Sequence, residues 1–141
     1  MKLKALLFVS CLSLLSSAYA ADRILPTYAD GSKSVAKSID SKLRNPGYCE
    51  IEVINDSDWD VIVSGRVTNG GVFNPFIVRA FGPSKIMDLY DYRYGECPEG
   101  VYVYIKNAET GYQFHSDFHY PGEIIRIFNR NSEIQALTMK K

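Results

Sequence analysis

The densest group of chemically capable side chains lies in Tyr112-Gln-Phe-His-Ser-Asp-Phe-His-Tyr120, which holds both histidines of the chain with a carboxylate between them. Read as one strand, a period of two puts His115, Asp117 and His119 on one face and Phe114, Ser116, Phe118 and Tyr120 on the other. Two imidazoles and a carboxylate are a donor set for Zn²⁺ or Cu²⁺. Alternate residues on a flat strand stand almost 7 Å apart, so three in a row converge on one ion only with a bulge or a twist. The plainer expectation is therefore that the aromatic side faces the core and the His-Asp-His side faces water. No cofactor is expected on that reading, with copper or zinc as the alternative.

Tyrosine is the second resource, with 10 in the chain. Tyr90, Tyr92 and Tyr94 alternate with Asp91 and Arg93, and Tyr102 and Tyr104 alternate with Val101, Val103 and Ile105. If the branched residues point inward, Tyr102 and Tyr104 point outward, and aromatic rings with polar tips are enriched in contact surfaces. Cross-strand tyrosines also stabilise a sheet without any ligand, which is the competing account. Trp59, in the polar turn Asn55 to Asp60, poses the same choice between a ring tucked over the core edge and a binding anchor. Tyr92, Tyr94, Tyr102, Tyr104 and Trp59 are the candidate partner-binding residues.

Catalytic motifs are lacking. There is no Gly-x-Ser-x-Gly, no His-Glu-x-x-His and no glycine-rich phosphate loop, and a catalytic role is not expected. Cys49 and Cys97, with 47 residues between them, are too far apart for a redox motif of the Cys-x-x-Cys kind. In an exported domain an even pair reads as one structural disulfide. Closing a loop of about 49 residues stabilises the fold by about 4 kcal/mol on the chain-entropy account. Asn55-Asp56-Ser57 is a formal acceptor for N-glycosylation.

Export is read from the first twenty residues: a basic Met1-Lys-Leu-Lys, an apolar run from Ala5 to Leu15, and the small-x-small site Ala18-Tyr19-Ala20. Cleavage is expected between Ala20 and Ala21, leaving the protein periplasmic or secreted. The apolar run is short of the roughly 20 residues that span a bilayer, so no membrane span is expected. Without Lys2 and Lys4 the chain carries 14 basic and 16 acidic residues. That balance, with scattered Lys and Arg, argues against nucleic acid as a partner.

The elements that must position these groups follow from punctuation and period. Residues 21–46 are polar, with Val35, Ile39 and Leu43 on one narrow helical stripe, and are expected to form a leader with at most a short helix. From 47 to 141 the period is two. Strands are expected over Cys49 to Val53 and Val61 to Val67 as a hairpin, then over Val72 to Ala80 as an edge or bulged strand because of Asn74-Pro75. Ile86 to Tyr92, Val101 to Asn107, Tyr112 to Tyr120, Ile124 to Asn129 and Ile134 to Thr138 follow. Seven or eight short strands with one disulfide predict an all-β protein: a small antiparallel β-sandwich, immunoglobulin-like or Greek-key.

The functional expectation is an exported, non-enzymatic binding or inhibitor module. It would present loops at Asp56 to Asp60, Thr68 to Asn74 and Tyr92 to Glu99, and a tyrosine-rich sheet face, to a protein or glycan partner, as a monomer or weak oligomer. The alternative is a copper- or zinc-binding protein using His115, Asp117 and His119.

Overall fold

A computed structural model of the chain describes residues 21–30 and 48–140. The described residues form nine strands in two sheets: β1 (Asp22–Ile24), β2 (Glu50–Asp56), β3 (Val61–Val67), β4 (Val72–Val78), β5 (Lys85–Asp88), β6 (Val101–Asn107), β7 (Gln113–His119), β8 (Glu123–Arg130) and β9 (Glu133–Lys140). One sheet has the order β1-β5-β2-β8-β9 and the other β4-β3-β6-β7. The architecture is a small β-sandwich, as the alternating pattern predicts. Among the described residues no helix is long and apolar enough to cross a membrane. The expected signal segment, and the helix expected around Val35 to Leu43, lie outside the described residues.

The core follows from strict alternation. In β6, Val101, Val103, Ile105 and Asn107 are buried while Tyr102, Tyr104 and Lys106 are exposed. Ile51, Val53, Met87, Ile125 and Ile127 of the larger sheet meet Val61, Val63, Phe73, Val103 and Ile105 of the smaller one. Burying each such side chain contributes roughly 1.5–3 kcal/mol. Cys49 and Cys97 are bridged, with Cα atoms 5.7 Å apart. The bond ties the residue before β2 to the connection leading into β6, and so joins the two sheets.

Three features depart from the sequence expectation. β2 and β3 are not a hairpin: they belong to different sheets, and Ser57–Asp60 carries the chain across the sandwich. Asn55 makes that crossing. Its Nδ2 donates to the Trp59 and Val78 carbonyls at 2.9 Å each, and its Oδ1 accepts from the Ser57 hydroxyl at 2.6 Å and the Ser57 amide at 3.1 Å. A side chain so committed and fully buried is closed to a glycan. Second, the larger sheet is not purely antiparallel, since β2 runs parallel to β8 and β1 parallel to β5, whereas the smaller sheet is antiparallel throughout. The strand expected over Ile86 to Tyr92 is the shorter β5, which ends at Asp88.

Third, residues 22–28, expected in a leader that packs at most lightly on the domain, pair with both sheets. β1 adds to the edge of the larger sheet beside β5. Three residues past the end of β1, Thr27 exchanges two backbone hydrogen bonds of 2.8 Å with Val72 at the edge of the smaller sheet. Tyr28 is then buried against Gly71, where a Cβ would stand 2.9 Å from its ring. Glycine is needed at 71 for that approach.

Candidate binding face and histidine pair

β7 decides which chemistry faces outward. It pairs antiparallel with β6, with His119 opposite Val101, Asp117 opposite Val103 and His115 opposite Ile105. The His-Asp-His side therefore shares the inner face with the core residues of β6, and Phe118 and Tyr120 lie outside. This reverses the expected orientation. The cause is a register shift between Ile105 and Lys106, where Phe114 is the extra residue. Phe114 packs on the core, and past it every side chain changes face, as a one-residue bulge requires.

Within the inner face the two histidines meet and Asp117 does not join them. Four residues of extended chain span roughly 13 Å, yet the two imidazoles lean along the strand until their Nε2 atoms are 2.8 Å apart. His119 is 1% exposed. Its Nδ1 is 3.0 Å from Oε2 of Glu123, the first residue of β8, and that oxygen also accepts from the Tyr120 amide at 3.2 Å. Asp117 is exposed and its Oδ1 accepts from the Phe118 amide at 2.8 Å. Burial, with the neighbouring His119, holds the His115 pKa below the usual imidazole value. Glu123 escaped the sequence reading because it lies across the Pro121-Gly122 turn, outside the histidine-bearing strand. The signal available was its position four residues after His119. Among the described residues no cluster of three or more His, Cys, Asp or Glu side chains has metal-binding geometry.

The outer face of the smaller sheet carries the aromatic groups. Tyr102 and Phe118 are cross-strand partners with rings edge to face at 5.0 Å, and Phe118 continues to Tyr120 at 5.1 Å. Tyr102 is 50% exposed and Tyr120 56%. Tyr104 opposes Ser116 one step along, and Arg66 and Lys106 flank the tyrosines in the same sheet. Phe118 is seated where it is because Gly100 lies beneath it; a Cβ at 100 would strike the Phe118 ring and the His119 carbonyl. Tyr102 and Tyr104 thus point where the alternation of β6 placed them.

The remaining candidates are scattered. Tyr92 is half-buried and its hydroxyl donates to Asp88 at 2.8 Å. Tyr94 is exposed and sits beside Arg93, whose guanidinium lies 5.1 Å from its ring. The loops holding Asn69 and Tyr92 meet around Asp91, which accepts from Asn69 at 3.1 Å and from Arg93 Nη2 at 2.9 Å. Arg93 also stacks 3.3 Å over Tyr28. These loops are thereby fastened to the N-terminal segment. Trp59 is half-buried and lines an open cleft of 560 Å³ with Tyr112, Phe114, Ile134, Glu133 and Gln135.

No model of a known protein family matches the chain, and no curated protein matches it.

Proposed function

We propose that the protein is an exported, non-enzymatic binding module, and that it grips a protein partner with the outer face of the β4-β3-β6-β7 sheet. The observation that carries this reading is the aromatic row Tyr102, Phe118 and Tyr120, its two tyrosines half-exposed around a part-buried Phe118, with Tyr104 beside it. Tyr, Phe and Arg are the residues enriched at interface centres. Rings already packed edge to face lose little rotamer freedom on docking, and each phenol keeps a hydroxyl for a partner's polar groups. Arg66 and Lys106 give the rim positive charge, which favours an acidic partner surface. The Cys49–Cys97 bridge supports an oxidising compartment.

The test places a photo-cross-linking residue at Ser116, opposite Tyr104, and compares the parent protein with a Tyr102→Ser, Tyr104→Ser double variant in the native export compartment. One discrete protein adduct, lost in the double variant and kept in Leu137→Ser on the other sheet, is the expected outcome. An adduct of equal yield in all three would remove this face from the function.

A glycan partner has its own observation. The Trp59 cleft combines three aromatic rings with the amide of Gln135 and the carboxylate of Glu133, groups that stack on sugar rings and bond their hydroxyls. Binding of a glycan array that survives Trp59→Ala would defeat that second reading.

A further inference from the structure

We propose that His115, His119 and Glu123 form an acid-sensitive latch: closed, it fixes the end of β7 and with it the rings of Phe118 and Tyr120, and it opens when both imidazoles carry charge. It acts on the chain's own conformation and stands whether or not the aromatic face grips a partner. The imidazoles meet head-on. Their Nε2 atoms are 2.8 Å apart and their ring centroids 5.1 Å apart, the spacing of two rings in line, so each nitrogen points at the other across a gap with room for one proton. An ionised carboxylate only accepts, which puts a proton on His119 Nδ1, 3.0 Å from Glu123 Oε2. The His119 Nε2 lone pair then accepts from His115 Nε2–H.

The two neutral rings thus hold two protons on four nitrogens. A third fits on His115 Nδ1, leaves the chain of bonds in place and strengthens the Nε2–H···Nε2 bond by adding charge to its donor. The fourth has only the gap, where two N–H groups would each reach about 1 Å into a space of 2.8 Å. The rings must then part. An unfolded chain has no such limit and takes up both protons as the pH falls through about 6.5. The folded state binds fewer protons below that pH, so the latch's contribution is complete above about pH 6.5 and is lost on acidification. Burial first, and then the neighbouring His119, depress the His115 pKa in the same sense, while Asp117 on the same strand opposes them. From β8 Glu123 faces His119, with Lys140 opposite Glu123 in β9. The β6 residues across from this part of β7, Val101, Val103 and Ile105, are apolar.

The latch reaches the outer face through the backbone. The Glu123 oxygen that orients His119 also accepts from the Tyr120 amide at 3.2 Å. Phe118 and His119 both close on Gly100, and the Phe118 ring stands between those of Tyr102 and Tyr120. Parting the imidazoles therefore shifts the stretch of chain that sets two of the three rings in the row.

The experiment is nuclear magnetic resonance of the purified oxidised chain, titrated from pH 8 to pH 4.5. It follows the histidine ring protons, the cross-peaks among the Tyr102, Phe118 and Tyr120 rings, and the β6 amides of Val103 and Ile105. The expected result is two separate histidine steps, with the ring cross-peaks kept through the first and lost at the second while the β6 amides stay in place. In His115→Gln, a change at a part-buried position, the amide donates to a neutral His119 and, turned over, accepts from a charged one. The ring cross-peaks of that variant are expected to survive to pH 4.5. Ring cross-peaks that persist to pH 4.5 in the parent, or that vanish only together with the β6 amides, overturn the proposal without reference to any variant. The same loss in a folded His115→Gln would also overturn it.

Discussion

Asp91 does more for this fold than its place on a loop suggests. It is fully buried, its Oδ1 accepts from the Arg93 backbone amide at 2.9 Å, and the Arg93 guanidinium and Asn69 amide close on its carboxylate. The Arg93 hydrogen bonds hold its pKa below the usual aspartate value. A carboxyl depressed in the folded state binds fewer protons there than in the unfolded chain, so its contribution is present above about pH 4 and is lost as pH falls through the folded value. Asp91→Asn is therefore expected to lower stability by about 2 kcal/mol at neutral pH. The variant's deficit should shrink as the pH drops below about 4. Urea unfolding of both proteins between pH 2.5 and 7 checks this, and a deficit constant across that range would refute it. At the same scale, Glu50 and Asp88 face each other across β2 and β5, a like-charge pairing that is normally unfavourable. Arg23 from β1 bonds the Glu50 carboxylate and stands 3.5 Å from Asp88, so the N-terminal segment brings positive charge to this pair as well as a strand.

At the scale of elements, the segment Asp22 to Tyr28 acts as a strap over one open side of the sandwich. Its bond to the smaller sheet runs through Thr27 and Val72, and Tyr28 anchors it under Arg93. Tyr28→Ala removes a buried ring and is expected to cost about 3 kcal/mol. Amide exchange should rise first at Val72, whose N–H donates to the Thr27 carbonyl, while Val103 and Ile105 in β6 stay protected. Equal acceleration at all three sites would show that the strap is not a separable unit. The β8–β9 hairpin offers the opposite prediction. Its two-residue turn puts Asn131 at φ 50° and Ser132 at φ 67°, a conformation that suits glycine far better than serine. Ser132→Gly should raise stability by about 0.5–1 kcal/mol, read as a higher urea midpoint at unchanged slope.

For the whole molecule, the Cys49–Cys97 bond is a covalent cross-link that adds to the side-chain packing and the hydrogen bonds joining the two sheets. Replacing both cysteines by alanine should cost about 4 kcal/mol by the loop-closure account. Comparing unfolding of the double variant with that of the reduced parent separates the loss of the link from the loss of two packed sulfurs. If the double variant matches the oxidised parent, the bond contributes nothing. The two faces of the smaller sheet also differ in kind: the aromatic row lies outside and the hydrogen-bonded histidine pair inside. Gly100 sits at the hinge of both, because Phe118 and His119 each pass within contact of it.

Much of this was written locally. Val101 to Asn107 declared its inward and outward sides by alternation alone, and with them the outward tyrosines. Turn residues set off β3 from β4 and β6 from β7, Pro75 placed β4 at an edge, and the two distant cysteines declared their bridge. The tertiary structure decided what alternation does not encode. A period of two says that a strand has an oily side but not which strand lies beside it, so β2 and β3 read as a hairpin although they lie in different sheets. One extra residue at Phe114 reverses the phase of everything after it, and that bulge exists only because β6 fixes the register. Glu123 reaches His119 from the next strand, and Arg23 reaches Glu50 from far upstream. Those contacts arise from chain closure between separated segments, where the free energy depends on the assembled neighbours and not on any one stretch of sequence.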